Sequence, residues 1–520
     1  MGNLNGLPSA TNVASSIQTI LLAIIVTVLT GSYLGIAHAD SSPVAASLAK
    51  KEAAQLDWFA MPPAEKLQAS RKKVFAHYFT PFPLTIGNPE PASDYYSTQY
   101  LRASGEKGKW ATKGGFLRQR PLPRPPYVAS PDRADIDIEL EVRRAINAGI
   151  DGFTVDLLAT PNPHNNAWSR TIALINAAER VDPSFVIVPM PDMTAGYKDS
   201  PELITDAVIA LSRYPNVYRL PDGRVVVSPF CAHLKSPEWW ANWLETMKSK
   251  GVPVALLPLF QAWRDHVKDY AAESIGASDW GLRSVRSNIK SFADAADFAH
   301  KYVPIYMAPV APQDYRPKGP MAWEASNSEN YRTMWRNAID GGADWVQLIT
   351  WNDYSESTEV SPSTGTQFGF YDLTAYYTSW FKTGKAPRIT KDVVYYFHRI
   401  QRTDTPYDAV KQPVPTRVID GDPTVNDVEL LAFLTKPGTL EILSGGKTYS
   451  MQAPAGMTSF RAPLAVGTPS FRLVRGGKAI IELTSAFPVV PSLIYQDYLY
   501  RSGGSNRPVV DAVQSGLPAP

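Results

Sequence analysis

Apolar and polar positions fall into two alternating kinds of segment between residues 74 and 350. Short runs of strand length, mostly apolar, stand at 74–79, 150–156, 185–190, 225–228, 252–260, 302–309 and 346–350, with a weaker one near 280. Longer segments with helical spacing separate them, at 136–148, 168–180, 201–213, 239–250, 291–300 and 330–339. Gly149 and Gly341-Gly342 stop two of these helices, as glycine past a helix end commonly does. Eight strand-like segments alternating with helices over about 330 residues predict an α/β fold, a (β/α)8 TIM barrel. A last helix is expected at 391–399, closing the barrel.

The pattern changes near residue 410. Short runs at 428–434, 439–442, 459–462, 470–474 and 479–483 are separated by Gly and Pro turns. They predict an all-β, sandwich-like accessory domain over 410–520. The barrel is expected over 71–400, preceded by a linker with a short helix at 40–70. Residues 80–135 read as a long irregular loop, and Tyr95, Tyr96, Tyr100 and Trp110 are its candidates for lining a groove. At the start, 20–28 is almost continuously apolar, and Ala37-His-Ala39 fits a small-x-small cleavage site. Residues 1–39 are therefore expected to be an export signal, with an uncleaved N-terminal anchor as the alternative. Either places the rest of the chain outside the cytoplasmic membrane, secreted or periplasmic.

Composition narrows the function. A net charge of +2 gives no reason to expect nucleic acid as a partner. No Gly-x-Gly-x-x-Gly follows the first strand and there is no Walker-type loop, so no nucleotide is expected. His-Glu-x-x-His and Cys-x-x-Cys are absent, so neither a metal site nor a cofactor is expected. Cys231 is the only cysteine, which rules out an intrachain disulfide. It stands two residues from His233, but with no third group in view it reads as packing. The 13 Trp, 25 Tyr and 19 Phe suit rings that stack on sugars as well as a core. The expected partner is a polysaccharide, and the expected state a monomer.

The chemistry concentrates at strand ends. In a barrel, the C-terminal ends of the strands carry the site. Asp156, Asp192, Asp353 and Glu356 stand at or just past such ends. Asp151 opens its strand, and the same rule puts it at the opposite, stability face unless a bulge at Gly152 shifts the register. Trp168 and Trp263 follow strands on the same rim, and Trp351, Asn352 and Tyr354 surround the last pair of acids. His77, inside the first strand, is a site residue or a buried structural histidine. Convergent carboxylates without metal-binding histidines suit hydrolysis of a glycosidic bond. One acid protonates the leaving oxygen, and one carboxylate activates water.

The stretch Ile349-Thr-Trp-Asn-Asp-Tyr-Ser-Glu-Ser357 closely resembles the Ile-Thr-Trp-Asn-Asp-Tyr-Gly-Glu-Ser signature of the family 71 glycoside hydrolases, the endo-α-1,3-glucanases or mutanases. Lys73-Val-Phe-Ala-His-Tyr78, Gly149-Ile-Asp-Gly-Phe153, Asp192-Met-Thr194 and Tyr306-Met-Ala-Pro309 resemble further family motifs in the same order. The resemblance covers roughly 71–400. It implies an inverting hydrolase of α-1,3-glucan, with Asp353 as general base and Glu356 as general acid. It puts a supporting aspartate on Asp151, where the barrel-end argument favours Asp156. His77, Asp156, Asp192, Trp168, Trp263, Tyr306, Trp351, Asn352 and Tyr354 are the expected substrate-binding set. Asp156, where the family often has Asn, Ser355 in place of Gly, Glu359 and the long 80–135 segment depart from the family pattern. The alternatives are a hydrolase of another polysaccharide on the same barrel, or a non-catalytic glycan-binding protein.

Overall fold

Parallel strands with helices between them form the larger part of the molecule. The computed structural model describes residues 41–127, 133–198, 200, 202–419 and 422–510. The export segment expected at 1–39 lies outside these residues. Among them, no helix is long and apolar enough to cross a membrane.

Ten strands and short bridging pieces precede the last of the parallel series: β1 (Lys73–Tyr78), β2 (Gly152–Leu157), β3 (Val186–Pro191), β4 (Val225–Val227), β5 (Val254–Leu256), β6 (Leu259–Phe260), β7 (Gly276–Asp279), β8 (Ile305–Val310), β9 (Tyr315–Arg316), β10 (Met321–Trp323) and then β11 (Trp345–Leu348). Seven of them make one sheet in the order β3-β2-β1-β11-β8-β7-β6, and each neighbouring pair runs parallel. β4 and β5 form a separate parallel pair. Single bridges, Asp192 with Phe230 and Leu256 with Ser274, stand between the pair and the sheet.

The sheet is thus curled but open, where an unbroken eight-stranded ladder was expected. Prolines explain the gap. Pro191, Pro229, Pro253 and Pro258 fall where β3, β4, β5 and β6 would pair, and proline has no N–H to donate. Isolated bonds persist around them, such as Phe230 N–H to the Pro191 carbonyl at 3.0 Å and Ser278 N–H to the Pro258 carbonyl at 3.0 Å.

The inner face of the sheet changes character along the strands. Toward the N-terminal ends, Phe75, Val188, Val226, Ala255, Met307 and Trp345 form one apolar cluster. Further along come His77, Thr154, Met190 and Gln347, all buried. The Gln347 amide donates to Thr154 Oγ1 at 3.1 Å. Asp156 closes β2, and Asp192 lies just past β3. The apolar end builds stability, and the polar end holds the acids.

The remaining strands are β12 (Val393–His398), β13 (Arg417–Ile419), β14 (Asp427–Leu434), β15 (Gly438–Ser444), β16 (Lys447–Ala453), β17 (Gly456–Pro463), β18 (Ser470–Arg475), β19 (Lys478–Thr484) and β20 (Arg501–Gly504). Two antiparallel four-stranded sheets result, β17-β14-β12-β20 and β16-β15-β18-β19. The helix expected at 391–399 is therefore the strand β12. Its Val-Val-Tyr-Tyr-Phe core is β-branched and aromatic, which suits a strand. It is buried on both faces, so no alternation survives to reveal it.

Successive residues of β12 and β14 serve two cores. Tyr395, Phe397, Leu431 and Phe433 join the cluster of the parallel sheet. Val394, Tyr396, Leu430 and Ala432 face Leu440, Ile442, Phe471 and Leu473 instead. The helix that follows β11 is Gly369–Thr383, buried along almost its whole length. It packs between the two parts, with Tyr376 at 5.1 Å from Phe433 and Phe370 at 5.3 Å from Phe397. The expected linker at 40–70 also packs down. It holds the helices Pro43–Ala53 and Ala64–Gln68, and Trp58 stacks on Tyr376 at 5.5 Å. From Ser41 onward the chain is one compact unit.

A shared core predicts shared unfolding. Phe433→Ala should cost about 3–5 kcal/mol. Chemical denaturation followed by circular dichroism and tryptophan fluorescence should show one coincident transition. A biphasic curve in which the parallel sheet outlasts the C-terminal sheets would contradict this.

Candidate active site

The turn after β11 carries the two acids, and local chemistry sets its shape. Asp353 N–H donates to Thr350 Oγ1 at 2.8 Å. The Asp353 carboxyl then accepts from Ser355 N–H at 2.9 Å, Ser355 Oγ at 2.8 Å and Glu356 N–H at 3.3 Å, all on Oδ1. A short carboxylate bonding the backbone two residues on is the usual way Asp closes a turn. Ser355 therefore does what the glycine of the related signature has no side chain to do. It also accepts from Lys318 Nζ at 2.9 Å, so a cation is linked to Asp353 through the Ser355 hydroxyl.

Burial pushes the Asp353 carboxyl above its ordinary range, while Lys318, the Ser355 hydrogen bonds and Arg316 oppose the shift. Glu356 is also held above the carboxylate range, first by burial and then by the Asp353 and Asp314 charges. Arg316 and Arg283 act against this. Arg316 Nη1 lies 2.8 Å from Glu356 Oε1. Two neighbouring carboxyls out of water favour a state in which one keeps its proton.

Asp156 and Asp192 belong to the same field. Burial, then Asp192, then Asp353 raise Asp156 well above its ordinary range. Its Oδ1 is buried with no hydrogen-bond partner. His77 is 4.0 Å away, too far for a hydrogen bond, and burial lowers its pKa to about 3, so it is neutral and no ion pair forms. Asp192 Oδ1 accepts from Thr194 N–H and Oγ1, each at 2.7 Å.

A cleft of about 630 Å³ opens beside this field, with Trp263, Asp279, Trp280, Arg283, Arg316 and Trp323 in its wall. Neither Asp353 nor Glu356 lines it, but Arg316, Asp314 and Arg283, which face Glu356, do. Trp280 also packs edge-on against His77, with ring centroids 4.9 Å apart. Next to the acids on another side, Lys318 lies over Phe116 at 5.5 Å, and Trp110 stacks on Phe116 at 5.1 Å. Of the four loop aromatics, each expected to pack more than to line a groove, Tyr96 is buried, with its hydroxyl bonded to the Pro83 carbonyl at 2.7 Å.

Several expected site residues lie elsewhere. Asp151, just before β2, is at the other end of the sheet. It pairs with Lys382 at 2.7 Å and Lys73 at 3.6 Å, and accepts from Val74 N–H at 2.7 Å. Trp351, Asn352 and Tyr354 are fully buried behind the acids. The Trp351 indole donates to Glu141 at 3.2 Å, and the Asn352 amide is used by the backbone of Phe79 and Phe82. Trp168 sits in the core on the helix Asn166–Val181. Tyr306 is buried against Trp263 at 5.0 Å, and only Trp263 reaches the cleft. Buried tryptophan and asparagine need partners for their polar atoms, and these partners turn them inward.

Arg316, Asp314, Arg283, Lys318 and Trp280 were not singled out as site residues. Asp314 and Trp280 stand just past strands, the same signal that marked Asp192. The cations gave no signal, because the contacts that tie them to the catalytic turn, Arg316 with Glu356 and Lys318 with Ser355, are distant in sequence.

Residues 128–498 match the model for glycosyl hydrolase family 71. The chain is 24% identical over 392 residues to a glucan endo-1,3-alpha-glucosidase of Schizosaccharomyces pombe, covering 70% of this chain and 89% of that protein. It is 24% identical over 391 residues to a mutanase of Penicillium rubens, covering 70% and 83%. A GH99 endo-alpha-mannosidase from Bacteroides thetaiotaomicron superposes with a TM-score of 0.45 at 15% identity, over 60% of this chain and 97% of that one. The protein is a glycoside hydrolase. More particularly, it belongs to glycosyl hydrolase family 71, and the matched region takes in most of the C-terminal sheets, beyond the 71–400 of the motif resemblance.

The placement of Asp151 makes a separable prediction. Asp151→Asn leaves the Lys382 ammonium without its buried countercharge, which should cost about 3–5 kcal/mol. Where the variant is folded, kcat/KM should stay within about threefold of wild type, since the residue lies away from the acids. Urea melts and initial rates at low temperature separate the two effects. A loss of rate without loss of stability would return Asp151 to the catalytic set.

Proposed function

We propose that the protein hydrolyses α-1,3-glucan internally and with inversion, using Asp353 as general base and Glu356 as general acid. The observation that carries this reading is the turn after β11, which holds both carboxyls in one buried field and biases Glu356 toward its protonated form. The names of the relatives, a glucan endo-1,3-alpha-glucosidase and a mutanase, support the substrate.

In the reaction, water attacks the anomeric carbon from the face opposite the leaving group and gives its proton to Asp353. All three hydrogen bonds on that carboxylate go to Oδ1, so Oδ2 is the oxygen for this proton. Glu356 gives its proton to the glycosidic oxygen as the bond to carbon breaks and the electron pair leaves with oxygen. One water is consumed and two shorter chains result. Asp156 and Asp192 bind substrate hydroxyls beside the pair, with His77 as their neutral neighbour. Trp280 and Trp323, both partly exposed, offer rings for sugar faces in the cleft.

The same reading treats β4, and β5 with β6 as one interrupted strand, as completing an eight-stranded ring, and the two antiparallel sheets as a sandwich-like accessory domain. It includes a monomer and export of the protein, the latter from the apolar run at 20–28 and the Ala37-His-Ala39 site.

A panel of glucans, with product anomers followed by NMR, tests the proposal. Wild type should release soluble oligosaccharides from α-1,3-glucan, with initial products of inverted configuration. Asp353→Asn and Glu356→Gln should each lose at least about a hundredfold in kcat/KM. Retained configuration would remove the inverting mechanism, turnover of another glycan alone would remove the substrate, and full activity in either variant would remove the site.

The raised Glu356 predicts the pH dependence. An acid must be protonated to act, so activity should hold through neutral pH and fall as pH rises past the elevated Glu356 pKa. Glu356→Asp, if active, should keep a high-pH limb, whereas Glu356→Gln should have none above its residual rate. A wild-type profile already falling below pH 6 would contradict the shift.

A further inference from the structure

Arg316 is the side chain that touches Glu356. It lies on β9, in the segment after β8. The backbone there is tied to the catalytic turn. Tyr315 N–H donates to the Glu356 carbonyl at 2.8 Å, and Ser357 Oγ donates to the Tyr315 carbonyl at 2.9 Å. The guanidinium is divided between two acids. Nε and Nη2 donate to the two oxygens of Asp314, at 2.8 and 2.7 Å. Nη1 stands 2.8 Å from Glu356 Oε1. Asp314 is buried, and Arg283 Nε is 3.5 Å from its Oδ2.

Arginine has donors and no acceptor. A carboxylic acid accepts best at its carbonyl oxygen, so the oxygen facing Arg316 is the one without the proton. Asp314 meanwhile offsets the guanidinium charge through a two-point pair. Glu356 Oε1 thus stands 2.8 Å from a guanidinium nitrogen whose charge Asp314 offsets. A bare cation in that place would pull the proton off.

We propose that Arg316, oriented by Asp314, is a positioning residue that holds Glu356 Oε1 and leaves Oε2 to carry and deliver the acid proton. The inference rests on Glu356 being the general acid. The charged groups facing Glu356 are Asp353 on its own turn, Asp314 and Arg316 from the segment after β8, and Arg283 from the segment after β7. The two acids favour the protonated form and the two arginines oppose it. Lys318 faces Asp353. Arg316 also lies over the Trp323 ring at 5.1 Å in the cleft wall, so the clamp on the acid is part of the surface that substrate meets.

The pH dependence of kcat/KM, measured on the glucan that the panel identifies, tests this, because its high-pH limb reports the acid of the free enzyme. Arg316→Gln removes a cation and should move that limb up by about 1 pH unit, with a loss of kcat of about tenfold or more. Asp314→Asn removes an anion and leaves Arg316 unbalanced, so the limb should move down by about 1 unit. Arg316→Lys keeps the charge but not the fork; the limb should stay near wild type while kcat falls about tenfold. A merely structural role would lower stability without displacing the limb in opposite directions. Limbs that move together, or do not move, in variants with native circular dichroism overturn the proposal. If Arg316→Gln does not fold, the direction seen in Asp314→Asn decides. Wild-type activity in Glu356→Gln would instead remove the acid assignment itself, while an inactive Glu356→Gln beside unmoved limbs removes only the role of Arg316.

Discussion

Carboxylates gathered out of water repel one another, and the polar end of the parallel sheet is built around that cost. Two unit charges 4 Å apart interact by about 4 kcal/mol at an effective dielectric near 20. Asp156, Asp192, Asp279, Asp314, Asp353 and Glu356 all stand at this end, so charge must be paired, hydrogen-bonded or removed by protonation. Each solution is present. Asp314 takes Arg316 and Arg283. Asp279 accepts from the backbone of Trp263 and Gly281. Asp192 uses Thr194, and Asp353 uses Ser355. Asp156 and Glu356 are pushed toward the neutral acid. The same electrostatics that cost the fold stability bias Glu356 toward its protonated form.

The scaffold that withstands this strain lies mostly behind the acids. Glu141 accepts from both Tyr78 and Trp351 and is itself pushed up to about 7 by burial. It fixes the back of the turn, while Asn352 ties the turn to the end of β1. At the far end of the sheet, Asp151 pairs with Lys382 on the helix Gly369–Thr383. That helix is wedged against β12 and β14, so the antiparallel sheets help to hold the parallel one. Several residues with the look of catalytic groups in sequence are supports of this kind.

The strands and helices of the parallel part were legible because each buries one side, or follows the helix-stop-strand rhythm that repeats along the chain. β12 and the helix Gly369–Thr383 were not, for one shared reason. Both are covered on all sides: β12 is apolar and aromatic almost throughout, and in the helix the polar residues Asp372, Thr374 and Lys382 are buried as well, so neither shows one exposed face. The acids were legible at strand ends; in the fold the Asp192 and Asp353 charges reach Asp156, and the Asp353 charge reaches Glu356. The direction of the neighbouring side chains was not legible. Trp351 and Tyr354 flank the acids in sequence but point into the core, because an indole N–H and large apolar rings are cheaper to bury than to leave in a charged cleft.

The sequence by itself determined the alternation of strands and helices, the change to β structure in the C-terminal region, and the motif that carries Asp353 and Glu356. Those are local properties, written in periodicity, turn residues and a short signature. Only the tertiary structure decided that Asp151 is a buried support, that prolines open the ladder around β4 and β5, and that Arg316 reaches Glu356 across forty residues of chain. Hydrogen bonds and charge pairs act through space over a few ångströms. Which groups come that close is a property of the folded chain and not of their order along it.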